Sequence, residues 1–412
     1  MSDGFRLHLF EGYGIELEYM IVDRATLKVR PICDKILEDV AGEPTSDIEL
    51  GEVAWSNELV MHVIEAKSNG PAKDLVRLHQ EMSKAIVNMN KAAAEWNCRL
   101  LPTAMHPLFD PETETKLWVH DNAVVYNAYD KIFNCQGHGW SNLQSIHINL
   151  PFYDDKEFGK LHAAIRLVLP ILPTLAASSP FVGGKRGPYL DSRLHFYLQN
   201  QRRIPSILGL GIPERVFTKA DYEEKILKPM WREISPQDPE GILQHEWLNS
   251  RAAIARFMRN AIEIRLLDIQ ECPKADFTII SAVVSLIQSL VEETCSTFAQ
   301  QSQIAETSLR GILDGVLEQG SSFIIEDKGY LATLGLSESL SVKDLWTKVG
   351  MKLESTSYPL HAYKKNFEMI LEKGCLSERI LRATGTKVTR EVIIDCYSDL
   401  GNCLIKDQMF NP

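Results

Sequence analysis

The stretch GIELEYMIVD, residues 14–23, alternates apolar and acidic side chains, and a period of two marks a β-strand with one face turned to a core. Glu16 and Glu18 then project from a single face, because successive strand side chains point to opposite sides. SIHINLPF (145–152) and AIEIRLLDI (261–269) repeat the pattern. They place Ser145, His147 and Asn149 on one face of one strand, and Glu263 and Arg265 on one face of another. ELVMHVIEAK (58–67) is a further β-rich run, but Glu58 and Glu65 are seven apart and share a site only if a bulge or bend intervenes. A solvated strand face would usually also carry Lys, Thr and Gln. Three strands that concentrate acceptors and donors on one face point instead to a site.

Between these strands the period lengthens. From Pro71, a favourable first helical residue, apolar side chains fall at Leu75, Leu78, Met82, Ile86, Met89, Ala93 and Trp96, the spacing of an amphipathic helix. Leu161 to Leu175 predicts a helix that Pro170 and Pro173 kink or end, and SSPFVGGKRGPYLDSR (178–193) predicts a loop. Phe277 to Val291 predicts a buried helix with Asp276 as its N-cap. It is interrupted by Ser281, Ser285, Gln288 and Ser289 and falls short of the roughly 20 residues a membrane span needs. After about residue 300 helical periods dominate, near 303–319, 341–354, 360–384 and 388–404. The expected class is α+β: a mainly antiparallel sheet flanked by helices, with a catalytic core over residues 1–300 and a helical C-terminal part, 301–412, packed on the same domain.

Composition narrows the partners. The chain has 412 residues, 44 Lys and Arg against 55 Asp and Glu, and a net charge of −11, so its field repels a phosphate backbone and nucleic acid is not expected. MSDGFRLHLFEGYG shows no apolar h-region, so the cytoplasm is the expected compartment, with no membrane partner. Eight cysteines without a C-x-x-C pair suggest reduced, mostly buried thiols. GGKRG lacks the spacing and hydroxyl of a P-loop, GYGIEL and GLGIPE fail as G-x-G-x-x-G, and His245-Glu246 does not continue as H-E-x-x-H. If ATP is used, it is held without a P-loop.

A sheet face lined with Glu oxygens suits Mg²⁺ or Mn²⁺, hard cations that take carboxylate and phosphate oxygens. Arginines beside them bind phosphate bidentately. These residue types together predict metal-assisted phosphoryl transfer.

GIELEYMIVD, the pair Glu58 and Glu65, AMHP (104–107), SIHINLP, the SSPF…GPYLDSR segment and IEIRLLDIQE (262–271) occur in an order that resembles the glutamate-cysteine ligase family, type 2 branch of carboxylate-amine ligases, over roughly residues 10–290. The resemblance implies a glutamine synthetase-like fold whose sheet forms a funnel for ATP, metal ions and substrate. It implies Glu16, Glu18, Glu58, Glu65 and Glu263 as metal-binding carboxylates. Arg265, Glu263 and His147 are the implied catalytic residues, with Arg265 on the transferred phosphate and His147 near nucleotide and metals. Arg193 and Asn149 are the implied substrate-binding residues, Arg193 holding the acceptor carboxylate. The chain reads Ser145-Ile146-His147 where many members have H-x-H, and Ala104-Met105-His106-Pro107 where they have G-T-H-P; both changes are expected where substrate is read. The implied reaction joins a small amino-acid carboxylate to an amine through an acyl phosphate, with ATP and Mg²⁺ (Mn²⁺ as substitute), as in joining glutamate to cysteine. Two other readings keep the fold: a phosphotransferase acting on a small carboxylate or guanidino group, and a non-catalytic nucleotide binder. Lys185, Arg186, Arg202 and Arg203 either grip triphosphate or solvate a loop. The identity of the amine and the oligomeric state stay open.

Overall fold

The computed structural model describes residues 6–412, apart from the Glu354 side chain; residues 1–5, where the stretch read for an export signal begins, lie outside the described residues. Its strands are β1 (Gly14–Asp23), β2 (Asp47–Leu50), β3 (Val53–Asn57), β4 (Val63–Ser68), β5 (Cys98–Leu101), β6 (Ser145–Pro151), β7 (Phe181–Val182), β8 (Lys185–Arg186), β9 (Ala253–Arg256) and β10 (Ala261–Asp268). The main sheet has eight strands in the order β2-β3-β4-β1-β6-β10-β9, with β5 pairing β1. Every strand pair in it is antiparallel, so the expected α+β class is what the structure shows.

Alternation separates the two faces. Ile15, Leu17, Tyr19, Ile146, Ile148, Leu150, Ile262 and Ile264 are buried in the core beneath the sheet. That face is covered by the helices Leu75–Glu95, Asp155–Val168 and Pro273–Val291. The first presents Leu78, Met82, Ile86, Met89 and Ala93, and each large buried apolar side chain contributes roughly 1.5–3 kcal/mol relative to exposure. It begins at Leu75 rather than Pro71, because residue 72 is still bridged to Tyr13 and Asp74 caps the helix by accepting the Arg77 N–H.

Helix ends elsewhere also moved. Pro170 and Pro173 divide the expected apolar helix into Asp155–Val168, a 3₁₀ turn and Pro173–Ala176. Pro273–Val291 is, among the described residues, the one helix long and apolar enough to cross a membrane, and it lies inside the core. Pro273 is its first residue and Cys272 its N-cap, so Asp276 is not the cap; its carboxylate accepts the Gln270 N–H at 2.8 Å. The segment expected as one helix over 360–384 is a 3₁₀ turn and two helices, Lys364–Lys373 and Leu376–Thr384, separated at Gly374, whose φ of +83° a helix does not accommodate.

Beyond residue 300 the helices Glu306–Gln319, Val342–Glu354 and Lys364–Lys373 bury Leu309, Leu313, Trp346 and Phe367 in the same core as the sheet. Leu376–Thr384 and Arg390–Lys406 close a smaller cluster over Met20, Val22 and Leu101. None of the eight cysteines is paired; Cys295 is exposed, Cys403 half-buried and the rest buried.

Candidate active site

The polar face of the sheet is organised around β1, whose edge is shared by two strands. Residues 14–17 pair with β6 and residues 20–23 with β5. Where β1 leaves β6, the Glu18 carboxylate takes over and accepts both the backbone N–H (2.6 Å) and the hydroxyl (2.8 Å) of Ser145. Register then builds rows across the strands: Ser56, Glu65 and Glu18 face one another, as do Lys67, Glu16 and His147. Glu16 is held by His147 Nδ1 at 2.7 Å and by the Asn149 amide at 3.0 Å. Glu65 accepts from Ser56 Oγ at 2.6 Å, and Lys67 Nζ reaches Ser56 Oγ at 2.8 Å and Asp47 at 2.6 Å. The run expected as one strand over 58–67 is strand only from Val63. Glu58 lies in the bend after β3, which frees it from strand parity and supplies the bend its sharing of a site with Glu65 requires.

Two trios of donors result. One oxygen or ring nitrogen from each of Glu16, Glu65 and His147 lies within 4.8 Å of the others, and so do the oxygens of Glu18, Glu58 and Glu65. Glu65 belongs to both. Burial and the facing carboxylates of Glu65 and Glu18 hold the Glu58 carboxyl well above the usual carboxylate range. Burial and Glu16 push Glu65 up to about 7 against the pull of Lys67 and Ser56. For His147, burial disfavours the charged ring, but the bond to Glu16 and the charges of Glu18, Glu16 and Glu263 outweigh it and raise the pKa to about 9.

The opposite end of the face is cationic. Pairing of β10 with β6 follows one register up to Ile264↔Ile148 and resumes one residue later at Leu267↔Ile146, so Arg265 and Leu266 both stand opposite His147. This is a β-bulge, and it turns Arg265 back toward Glu263. Glu263 is clamped on both oxygens: Arg265 donates to Oε1, through Nε at 3.1 Å and also through Nη2, and Arg256 Nη1 donates to Oε2 at 2.7 Å. Burial alone would raise the Glu263 pKa, but Arg265, His147 and Arg256 hold it far below the carboxylate range. Glu263, expected among the metal-binding carboxylates, is in neither trio; both its oxygens accept from guanidinium groups.

Glu16, Glu18, Glu58, Glu65, His147, Asn149, Arg193, Glu263 and Arg265 all line one cavity of about 1110 Å³. Arg193, expected to hold the acceptor carboxylate, is bound by other groups of the chain. Its side chain is 2% exposed, with Nη1 donating to the Leu266 carbonyl (3.0 Å) and Asp268 (3.3 Å), Nη2 to the Arg265 carbonyl (3.0 Å), and Nε buried. That Nε has no hydrogen-bond partner.

Ala104 to Pro107 are not among the lining residues. His106 donates from Nε2 to the Leu27 carbonyl at 2.7 Å and accepts the Leu108 N–H, shaping a buried turn, so the expected reading of substrate there is corrected. Ser145 does line the cavity. Lys185, Arg186, Arg202 and Arg203 are exposed and do not line it. Lys67, Arg256 and Arg259 do line it, as do the aromatic side chains of Tyr126, Tyr129 and Trp247. Lys67 was legible, two residues after Glu65 on the same strand face; Arg256 and Arg259 sit on a hairpin with no motif of their own.

A protein of Archaeoglobus fulgidus, described as uncharacterized, is 31% identical over 397 residues, 96% of this chain and 99% of its own. Among solved structures, glutamate–cysteine ligase from Francisella tularensis in complex with AMP superposes with a TM-score of 0.59 at 12% identity, covering 95% of this chain and 88% of that one. A bifunctional glutathione synthetase from Pasteurella multocida gives 0.58 at 12% identity, and the chain spans about half, 53%, of its length. The fold is therefore shared with these enzymes. From residue 13 to residue 398 the chain matches the profile of glutamate-cysteine ligase family 2 (GCS2), and it belongs to that family of ATP-dependent ligases that form carbon–nitrogen bonds.

Proposed function

We propose that the cavity joins a small amino-acid carboxylate to an amine at the expense of ATP, through an acyl phosphate, with glutamate as the first acid to try. The observation that carries this reading is the division of one sheet face into a carboxylate half, with two trios sharing Glu65, and an arginine half built on Arg256, Glu263 and Arg265.

The donor set fits a hard divalent cation. Three carboxylates facing one another, at buried Glu18 and Glu65 and half-buried Glu58, repel unless protons or cations separate them. Glu16, Glu65 and His147 on one side and Glu18, Glu58 and Glu65 on the other would hold Mg²⁺ or Mn²⁺, with loss of the His147 proton. Such ions neutralise phosphate oxygens and orient them.

The chain's own residues do the rest. Bringing a carboxylate to about 4 Å from a phosphate oxygen costs on the order of 4 kcal/mol per charge pair at an effective dielectric near 20. Arg265, aimed by the bulge and steadied by Glu263, lowers that cost at the phosphoryl group, and Arg256 adds a second positive charge behind it. The carboxylate oxygen attacks the γ-phosphorus, the bond to the ADP oxygen breaks, and the amine then attacks the acyl carbon and expels phosphate, losing a proton. Asn149, fixed on Glu16, offers a neutral contact to substrate at the strand end. No covalent protein nucleophile is required, because positioning and charge stabilisation suffice for phosphoryl transfer.

The test is isotopic. With glutamate labelled by ¹⁸O in its carboxylates, an acyl phosphate delivers one label to inorganic phosphate. Unlabelled phosphate alongside amide product would overturn this route.

A further inference from the structure

At the edge of the cavity, against the bulge, lies a buried polar cluster that the proposed chemistry does not use. Asp191 caps the short helix Ser192–Tyr197 by accepting the Leu194 N–H at 2.8 Å, and Arg193 stands in the first turn of that helix. Asp268, fully buried at the end of β10, accepts from the Ser178 N–H (2.8 Å), the Ser179 hydroxyl (2.9 Å) and Arg193 Nη1 (3.3 Å). Ser179 Oγ in turn accepts the Arg193 N–H at 3.0 Å. The backbone and the guanidinium of Arg193 are thus both fixed, the guanidinium against β10.

What it meets there are the carbonyls of Arg265 and Leu266, each at 3.0 Å. These are the two residues that share one partner position on β6. At the bulge the regular ladder to β6 is interrupted; the Arg265 N–H is held by the Ala252 carbonyl at 3.0 Å, and the orientation of the side chains depends further on what binds the two carbonyls. Here one planar cation binds both carbonyls at once, a geometry for which a guanidinium fork is suited and an ammonium is not.

We propose that Arg193, held by Asp268 and Ser179, is the positioning residue of this site: it clamps the β10 bulge and thereby aims Arg265 at the transferred phosphoryl group. The clamp itself stands on geometry alone; its consequence for turnover rests on the ligase reading above. Arg193 touches no substrate in this account. Removing it leaves the cavity's binding groups in place and misdirects the one guanidinium that acts on the reacting atoms, and small displacements of such a group are costly.

Two measurements test this on the full-length protein. The first is hydrogen–deuterium exchange of wild type and Arg193→Ala. The expected result is at least tenfold faster exchange in peptides covering residues 263–268, with helix Leu75–Glu95 and β4 unchanged. Unchanged exchange at 263–268, or a uniform increase across the sheet, overturns the clamp. This arm needs no catalysis, so it judges the clamp even if wild type forms no amide, a result that would sink the ligase reading alone.

The second is steady-state kinetics with ATP and L-glutamate for Arg193→Ala, Arg193→Lys, Arg265→Ala and the double variant Arg193→Ala/Arg265→Ala. The expected pattern is a fall in kcat of at least tenfold for Arg193→Ala with KM for glutamate within about twofold. Arg193→Lys should recover part of the loss, and the double variant should be no slower than Arg265→Ala. A rise in KM for glutamate at unchanged kcat would make Arg193 a substrate ligand, and additive losses would show that it does not act through Arg265; either overturns the proposal.

Discussion

Glu65 on β4 lies directly across from Glu18 on β1, and its carboxylate is the one that both donor trios share. The pairing of the two strands thus sets one carboxylate against another. Glu65→Gln should reduce turnover by about 10³-fold or more and abolish the thermal stabilisation expected of Mg²⁺ in the wild type. In EDTA the same variant should be as stable as wild type or more so, by about 1–2 kcal/mol, because one repelling charge is gone. Melting curves with and without Mg²⁺ check both halves.

At the other end of the face, Arg265→Ala should lower kcat by about 10³-fold or more, the scale on which arginines at a transferred phosphoryl group act. Glu263→Gln should also abolish turnover, because Arg256 and Arg265 lose the anion that holds them apart at fixed positions. Circular dichroism should show both variants folded. Loss of the folded signal together with activity would make these residues structural supports.

The C-terminal segment offers a test of stability away from the cavity. Arg379 and Glu271 form a fully buried ion pair; Arg379 also donates to the Phe410 carbonyl, and Glu271 accepts the Phe410 N–H at 2.9 Å. Breaking such a pair on one side leaves an uncompensated buried charge, so Glu271→Ala should cost about 3–5 kcal/mol by urea denaturation. A loss under 1 kcal/mol would show that the charge left behind finds water.

His162 sets an acid sensitivity. It is buried with neither ring nitrogen bonded, stacked on Phe158 with ring centroids 5.3 Å apart, and burial reinforced by Arg166 lowers its pKa to about 3. The unfolded chain, with an ordinary histidine near 6.5, therefore binds a proton that the folded chain refuses. The stabilising contribution is complete above pH 6.5 and is lost as the pH falls toward 3. Between pH 7.5 and pH 5 the wild type should lose about 2 kcal/mol more than His162→Phe, measured by urea midpoints at the two pH values.

Much of this site was legible in the sequence because a strand prints its face directly. Glu16 with Glu18, and Ser145 with His147 and Asn149, are two apart, and the cores opposite them are Ile and Leu. Glu58 resisted that logic because it is not on a strand. The bulge at Arg265 and Leu266 was invisible: a register shift of one residue is a property of the pairing with β6, and nothing in IEIRLLDIQ marks it. For the same reason the bonds of Arg193 to two backbone carbonyls of β10 were not foreseen, because no side-chain pattern reveals them. Arg256 joins the site only through the antiparallel return of β9 onto β10. AMHP marked a real buried turn, but one that does not line the cavity.

Amide formation itself is the most direct test. Purified protein incubated with ATP, Mg²⁺ and glutamate, with and without a panel of amines that includes cysteine, should release ADP only when a suitable amine is present, and mass spectrometry should find one new amide per ADP. ADP released with glutamate alone at the full rate would mean phosphoryl transfer without ligation and would contradict the account. So would the absence of ADP and amide across a panel of amino-acid carboxylates and amines.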